Sequence, residues 1–340
     1  MSDRVLGTCA IEFRGREPAR RLVEEAGFEF VHRQGSPPWR NEETREKLAG
    51  FAGILAGGEY FTPHTMELAG DLRVIARNGV GYDRVDLDLC TERGIVVANT
   101  PGAMADAVAD HAMALLLSAV RHIVPGDRTV KSGGYQVALS EDLCAMTLGL
   151  IGCGRIGAEV VRRALGFRMR VLVDDPFVEP AQLRELGAVP AGRQQLLAES
   201  DVVSLHLPMS EENAGLVDAG FLDAMKQRSY LINTARGGLV DEEALIAALE
   251  SGHLAGAGLD CQATEPPEGT SLRLVQMPGV VAMPHSASNT VTARERMSAA
   301  AARAIVDCLQ GRVPKSVVNP EVLEKLDLTQ VPESPAGPPG

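Results

Sequence analysis

The sequence has no paired cysteines, no metal-ligand spacing, no basic surplus and no long apolar run. Its six cysteines (Cys9, Cys90, Cys144, Cys153, Cys261, Cys308) form no CxxC pair. That argues against a zinc ribbon or a disulfide framework and reads as reduced thiols of a cytoplasmic protein. The seven histidines show no HExxH or similar spacing, so no metal is expected. With 33 Lys and Arg against 45 Asp and Glu, the formal net charge is −12. A phosphate backbone needs a basic surface, so no nucleic-acid partner is expected. No apolar run approaches the roughly 18 residues of a membrane span. Met1-Ser2-Asp3-Arg4 lacks the apolar core of a signal peptide, so no membrane partner is expected either.

What is present is a hydrophobic content of 45% and a charged content of 23%, ordinary for a globular chain. At 340 residues, two domains are expected. The most informative stretch is 147–175, TLGLIGCGRIGAEVVRRALGFRMRVLVDD. It reads as a buried strand, the glycine turn Gly152-Cys153-Gly154-Arg155-Ile156-Gly157, an amphipathic helix, and a second strand ending in Asp174-Asp175. In that context GxGxxG is a dinucleotide fingerprint. Gly152 permits the turn, Gly154 admits a pyrophosphate to the backbone, and Gly157 lets helix and strand pack closely. Arg155 and Ile156 begin the helix, whose unpaired N–H groups favour the phosphates. Asp175, 18 residues beyond Gly157, is placed to accept hydrogen bonds from the ribose hydroxyls. No Arg or Lys follows before Arg184 to neutralise a 2′-phosphate. The expected cofactor is NAD.

Residues 1–98 alternate strand and helix signals, which predicts a second parallel α/β sheet without a glycine fingerprint of its own. Helices are expected near 63–68 and 85–93. Asn99-Thr100-Pro101-Gly102 punctuates the chain, and 105–121 reads as a long buried helix. Residues 123–146, with Pro125, Gly126, Gly133 and Gly134, are expected to be irregular. Later strands are expected at 202–205, 230–232, 256–259 and 280–282, with helices at 241–251 and 290–310. The Pro-rich tail from about Pro320 is expected to be disordered.

Three residues after the glycine loop have types suited to oxidising a hydroxy acid. They are Arg236 in NTARGG, Glu265 in DCQATEP and His285 after Met283-Pro284. Each follows an expected strand, and in an open parallel sheet such loops share the ligand-binding edge.

Together, GCGRIG, NTARGGLVDEEAL, GLDCQATEPP, MPHSAS and ARNGVGYDRVDLDLCTERGIVVANTPG resemble the D-isomer-specific 2-hydroxyacid dehydrogenases, over roughly residues 50–310. The last of these stretches is nearest to phosphoglycerate dehydrogenase-like members. The resemblance implies a Rossmann cofactor domain (100–287) and a discontinuous flavodoxin-like α/β substrate domain (1–99 and 288–320), followed by the tail 321–340. It also implies a homodimer formed largely through the cofactor domains. In that family's terms, Arg236 grips the substrate carboxylate and polarises the carbonyl. His285 exchanges the hydroxyl proton, and Glu265 holds the imidazole and favours its charged form. The backbone N–H groups of Asn78, Gly79 and Val80 bind the carboxylate. Asp260 contacts the nicotinamide carboxamide, and Thr234 and Pro208 line its pocket.

The sequence departs from the family at places that concern the substrate. Ala56-Gly57-Gly58 stands where phosphoglycerate dehydrogenases carry an Arg, Met104 replaces a common Asn, and Cys261 and Ala287 replace small residues. A terminal phosphate therefore lacks its usual bidentate partner, unless Arg73, Arg77 or Arg84 supplies one. The expected substrate is a small D-2-hydroxy acid or its 2-oxo acid, glyoxylate or hydroxypyruvate before 3-phosphoglycerate. Two rivals stay open: a phosphite- or phosphonate-type dehydrogenase on the same scaffold, and a non-catalytic NAD-sensing protein.

Overall fold

The computed structural model describes residues 3–33 and 41–330, and the chain divides into two units, Met1–Met104 with Thr290–Gly340, and Ala105–Asn289. The chain thus passes between units at 104/105 and 289/290, where the sequence placed the crossings at 99/100 and 287/288.

In the first unit, β1 (Arg4–Gly7), β2 (Glu29–His32), β3 (Gly53–Ala56), β4 (Val74–Arg77) and β5 (Val96–Ala98) form a parallel sheet in the order β2-β1-β3-β4-β5. This is the flavodoxin-like winding. All four residues of β3 and of β4 are buried, as expected of a parallel sheet covered on both faces. Alternate side chains supply separate cores. Val5, Leu55 and Val74 face one cluster with Ala301 and Ile305, while Leu6, Ile54 and Ile75 face another with Phe51 and Phe61. The unit also contains α1 (Pro18–Glu25), α2 (Asn41–Lys47), α3 (Leu87–Glu92) and the long helix Val291–Leu309.

Three expectations fail here. Residues 63–68 are a run of turns, not a helix, and α2 lies where no element was expected. The tail does not begin at Pro320, because Pro320–Lys325 is a 3₁₀ turn anchored by fully buried Val322. Lys325 Nζ also donates to Thr91 O at 3.1 Å. One apolar anchor and one cation are enough to dock a segment whose composition reads as unstructured. Residues 331–340 of the expected tail lie outside the described residues.

The second unit begins with α4 (Ala105–Val120) and α5 (Ile123–Lys131), then winds β6 (Thr147–Ile151), α6 (Arg155–Gly166), β7 (Arg170–Asp174), α7 (Pro180–Glu185), β8 (Val189–Pro190), α8 (Arg193–Glu199) and β9 (Val202–Leu205). It continues through α9 (Ala219–Ala224), β10 (Ser229–Asn233), α10 (Glu242–Glu250), β11 (Leu254–Leu259), α11 (Gly269–Val275) and β12 (Val280–Ala282); the long helix of the first unit is α12. The all-parallel sheet has the order β12-β11-β10-β9-β6-β7-β8, so strand order reverses between β6 and β9. That is the doubly wound dinucleotide fold and its switch point. Helix α5 corrects the expectation of irregular chain at 123–146. Pro125 sits in its first turn, where no N–H partner is lost, so Pro-Gly there starts a helix instead of breaking one.

Candidate active site

The cofactor cradle is built at the switch point. Gly152 follows β6 with φ +90°, and a Cβ there would lie 2.6 Å from His206 O, so only glycine fits. Nothing lies within 4 Å of a Cβ at Gly154, which leaves the approach to the backbone open. Gly157 packs on the carbonyl of Gly152. The first helical bond of α6 is Ala158 N to Gly154 O, so the amides of Arg155, Ile156 and Gly157 precede the ladder and face outward as an anion site. At the end of β7, Asp175 accepts from Cys153 N at 2.6 Å and from Phe177 N at 2.8 Å. These bonds fix the carboxylate against the glycine turn and leave further lone pairs for hydroxyl donors. The sequence argument that no base lies near the ribose site needs correction. Arg193, at the start of α8, pairs with Asp174, although it is distant along the chain.

The nicotinamide end follows from the later strands. Thr234 Oγ1 and Ser286 Oγ are both buried without a partner, as groups awaiting a ligand are. Pro208 is exposed on the loop after β9, its carbonyl accepting from Asn213 Nδ2 at 3.1 Å. Asp260 is 1% exposed and turned inward, accepting from Ser286 N at 2.8 Å and Ala287 N at 2.9 Å. His111 Nε2 of α4 lies 3.2 Å from the same carboxylate. Burial opposes ionisation, but His111 and the two amides hold the Asp260 carboxyl below its ordinary range. Asp260 thus organises the loop that carries His285. Glycine loop, free helix amides, ribose acid and orphaned hydroxyls together fit a dinucleotide.

Arg236, Glu265 and His285 follow β10, β11 and β12, on one edge of the sheet. His285 Nδ1 lies 2.9 Å from Glu265 Oε1 and 3.1 Å from Oε2. Its backbone has φ +50°, a conformation held by the 2.7 Å bond from His285 N to Asp260 O. Arg236 is shaped by Asn233, which donates from Nδ2 to Arg236 O at 2.8 Å and accepts from Ala235 N at 2.9 Å. A Cβ on Gly237 would fall 2.0 Å from the carbonyl carbon of Gln262, so the Arg236 and Glu265 loops touch backbone to backbone. The Cys261 thiol between them is pushed up by burial and by Asp260, with Arg236 opposing and Glu265 and Glu242 adding. All four charges therefore act on the same thiol. Glu242 was missed by sequence reading. It accepts from Ala263 N at 2.9 Å and from Ser271 Oγ at 2.6 Å, which pins the loop bearing Glu265. Its only sequence signal is an acid in the first turn of a helix, a place where acids are common.

In the first unit, the loops after β1, β3 and β4 share the carboxyl edge. Asn78 N donates to Ala56 O at 2.8 Å, so it is withdrawn from the three amides expected to bind a carboxylate. Gly79 and Val80 keep theirs: among the described residues their N–H groups meet no protein acceptor, while their carbonyls are bonded by Thr100 N and Asn99 Nδ2. Of the three arginines considered for a phosphate, Arg73 pairs with Asp3 at the opposite end of β4. Arg77 is 8% exposed and donates to Gly81 O and Glu59 O. Arg84 donates to Gly58 O at 2.8 Å and lies over the Tyr60 ring.

Residues 113–287 match the family described as D-isomer specific 2-hydroxyacid dehydrogenase, NAD binding domain. A glyoxylate reductase of Pyrococcus furiosus is 40% identical over 334 residues, covering 95% of this chain and 97% of the relative. A D-3-phosphoglycerate dehydrogenase of Archaeoglobus fulgidus is 38% identical over 92% of this chain, which spans 59% of that protein. Among solved structures, the D-lactate dehydrogenase of Aquifex aeolicus complexed with NAD and lactic acid shares 26% identity and a TM-score of 0.78, over 95% of this chain and 98% of that one. The chain belongs to the D-isomer-specific 2-hydroxyacid dehydrogenases, NAD-dependent oxidoreductases acting on a CH–OH group.

Proposed function

We propose that the protein reduces a small, unphosphorylated 2-oxo acid of the glyoxylate or hydroxypyruvate type to the D-2-hydroxy acid, and runs the reverse oxidation. The single observation behind the roles is the His285–Glu265 pair at 2.9 Å, beside the Arg236 loop. Bound NADH supplies the hydride. His285 gives its proton to the carbonyl oxygen, and Glu265 stabilises the charged ring that does so. Arg236 grips the carboxylate and draws electron density from the carbonyl. The likeness to the Pyrococcus furiosus glyoxylate reductase supports the substrate, as does the commitment of Arg73, Arg77 and Arg84 to other partners.

The working assembly is a homodimer. Tyr135, Val137 and Leu139, in the segment between α5 and β6, are each 90% or more exposed, an apolar arm that suits a second copy. All six cysteines are free, which suits a reducing, cytoplasmic setting. Among the described residues, no single helix is long and apolar enough to cross a membrane. The test is steady-state reduction of glyoxylate and hydroxypyruvate with NADH. The wild type turns both over, and His285→Asn loses at least about 10²-fold in kcat with NADH binding retained. Wild-type-like turnover by that variant sinks the assignment.

A further inference from the structure

One polar side chain of α4 reaches the residue that clamps the loop of His285. His111 lies in the middle of that helix, and its Nε2 stands 3.2 Å from Asp260 Oδ1. Helix and strand approach so closely because β11 has glycine at 258, where a Cβ would lie 2.9 Å from Leu115 Cβ. Leu115 is one turn beyond His111, and Gly258 is two residues before Asp260. One helix face thus meets one strand face at both points. His111 Nε2 is buried and, among the described residues, meets no other acceptor. Its approach to Asp260 is too oblique for a full hydrogen bond, so the contact is chiefly electrostatic. Asp260 in turn takes Ser286 N and Ala287 N on its carboxylate and His285 N, at 2.7 Å, on its carbonyl. Three consecutive amides hang on this one residue, and with them the φ +50° backbone of His285.

A carboxylate that is 1% exposed has lost its water, and burial alone favours its neutral form. His111 and the two amides offset this, and the carboxyl lies below its ordinary range. Of those three, only His111 stands outside the loop being held, on a helix packed against β10 and β11. It can therefore favour the charge without depending on the loop's own conformation. The other charged groups around it are Arg236, Glu265 and Glu242, which act with Asp260 on the Cys261 thiol, and His285. Asp106 and Asp110 of α4 pair instead with Arg163 of α6. Protonated, Asp260 would accept the loop amides less strongly, and His285 would lose the fixed backbone from which it meets Glu265. We propose that His111 is a positioning residue for the reaction: by keeping Asp260 charged it holds the amides of 285–287, and so the His285 ring, in reach of Glu265. This rests on the reductase reading given above, and every residue in it belongs to one unit.

The experiment measures kcat for glyoxylate and hydroxypyruvate, its pH profile, the Kd of NADH and Tm, in the wild type, His111→Leu, His111→Asn and His111→Gln. The leucine variant removes the polar atom, the asparagine variant carries an amide too short to reach Asp260, and the glutamine variant places an N–H near the position of Nε2. In the first two, kcat falls about tenfold or more, since a small misplacement of a catalytic group costs up to ~10²-fold. Their NADH Kd stays level. The acid limb of their kcat profile moves to higher pH, because a carboxyl without His111 takes up its proton sooner on acidification. His111→Gln restores most of kcat and returns the limb toward that of the wild type. In an Asp260→Asn background, His111→Leu adds little further loss. A kcat and an acid limb unmoved in both the leucine and asparagine variants overturn the role and leave the reductase standing. A loss as large in the Asp260→Asn background as in the wild type overturns it as well. Joint losses of kcat, NADH affinity and Tm that His111→Gln does not relieve mark simple packing and overturn it too. A wild type that binds NADH but reduces neither acid removes the reductase reading and this role together.

Discussion

Under the proposed ribose role, Asp175 chooses between NAD and NADP through a bond count as much as a charge. Its oxygens hold Cys153 N and Phe177 N, so the acid braces the glycine turn and keeps lone pairs for hydroxyl donors. Asp175→Ala is expected to weaken NADH binding by about tenfold or more, the loss of a charged acceptor. It is not expected to confer much NADPH activity, because Arg193 remains neutralised by Asp174. Removing Asp174 as well releases that guanidinium toward a 2′-phosphate. Kd values of both cofactors for the single and double variants check this. Gain of NADPH affinity in Asp175→Ala alone, with no further gain in the double variant, removes Arg193 from the argument. The acid was legible in the sequence because strand, turn and acid lie within one contiguous stretch. Arg193 was not, because β8 and the chain around it fold the base back onto Asp174, and no local pattern announces such a return. His111 and Glu242 were hidden for the same reason: each is a single polar side chain whose meaning is its tertiary partner.

Helix α10 shows how an element away from the chemistry holds it in place. Its N-cap Asp241 accepts from Glu243 N and Ala244 N, and the next residue, Glu242, reaches the loop after β11. Asp241→Ala should cost about 1 kcal/mol, the usual worth of a cap, with little effect on kcat. Glu242→Ala leaves Ala263 N and Ser271 Oγ without their acceptor and should cost about 2–3 kcal/mol. It should also lower kcat, because the loop carrying Glu265 loses its anchor. Denaturant titration and kcat on the two variants separate cap from anchor, and equal kcat losses in both would contradict that division. The strands and long helices of both units were readable from apolar runs and periodicity. The exceptions have local causes. In α5 the proline falls in the first turn, and β8 is two residues long, too short to carry a period.

At the scale of the whole molecule, the exposed apolar arm and the acid limit are both open to measurement. Replacing Val137 and Leu139 by Asp places charge where a second copy is expected to cover 90%-exposed side chains. Sedimentation should then show monomer where the wild type shows dimer, and an unchanged mass would move the interface elsewhere. The acid limit follows from His206, on the loop after β9. Burial pushes its ring down to about 4, and Nε2 lies 2.8 Å from Ser204 Oγ. In the unfolded chain the ring titrates near its ordinary ~6.5. Between those values the unfolded chain holds a proton that the folded protein does not. Stability is therefore fully present above about pH 6.5 and declines as the pH falls toward about 4. Because the residue keeps some contact with solvent, the loss is about 1–2 kcal/mol, against the ~3 kcal/mol of a sealed ring. Many carboxylates also titrate toward the lower end of this window, so the informative quantity is the difference between wild type and His206→Gln, whose amide can still meet Ser204. The variant should lose less Tm than the wild type between about pH 7 and about pH 4.5. A gap between the two that stays constant with pH would assign the acid limit to the carboxylates instead.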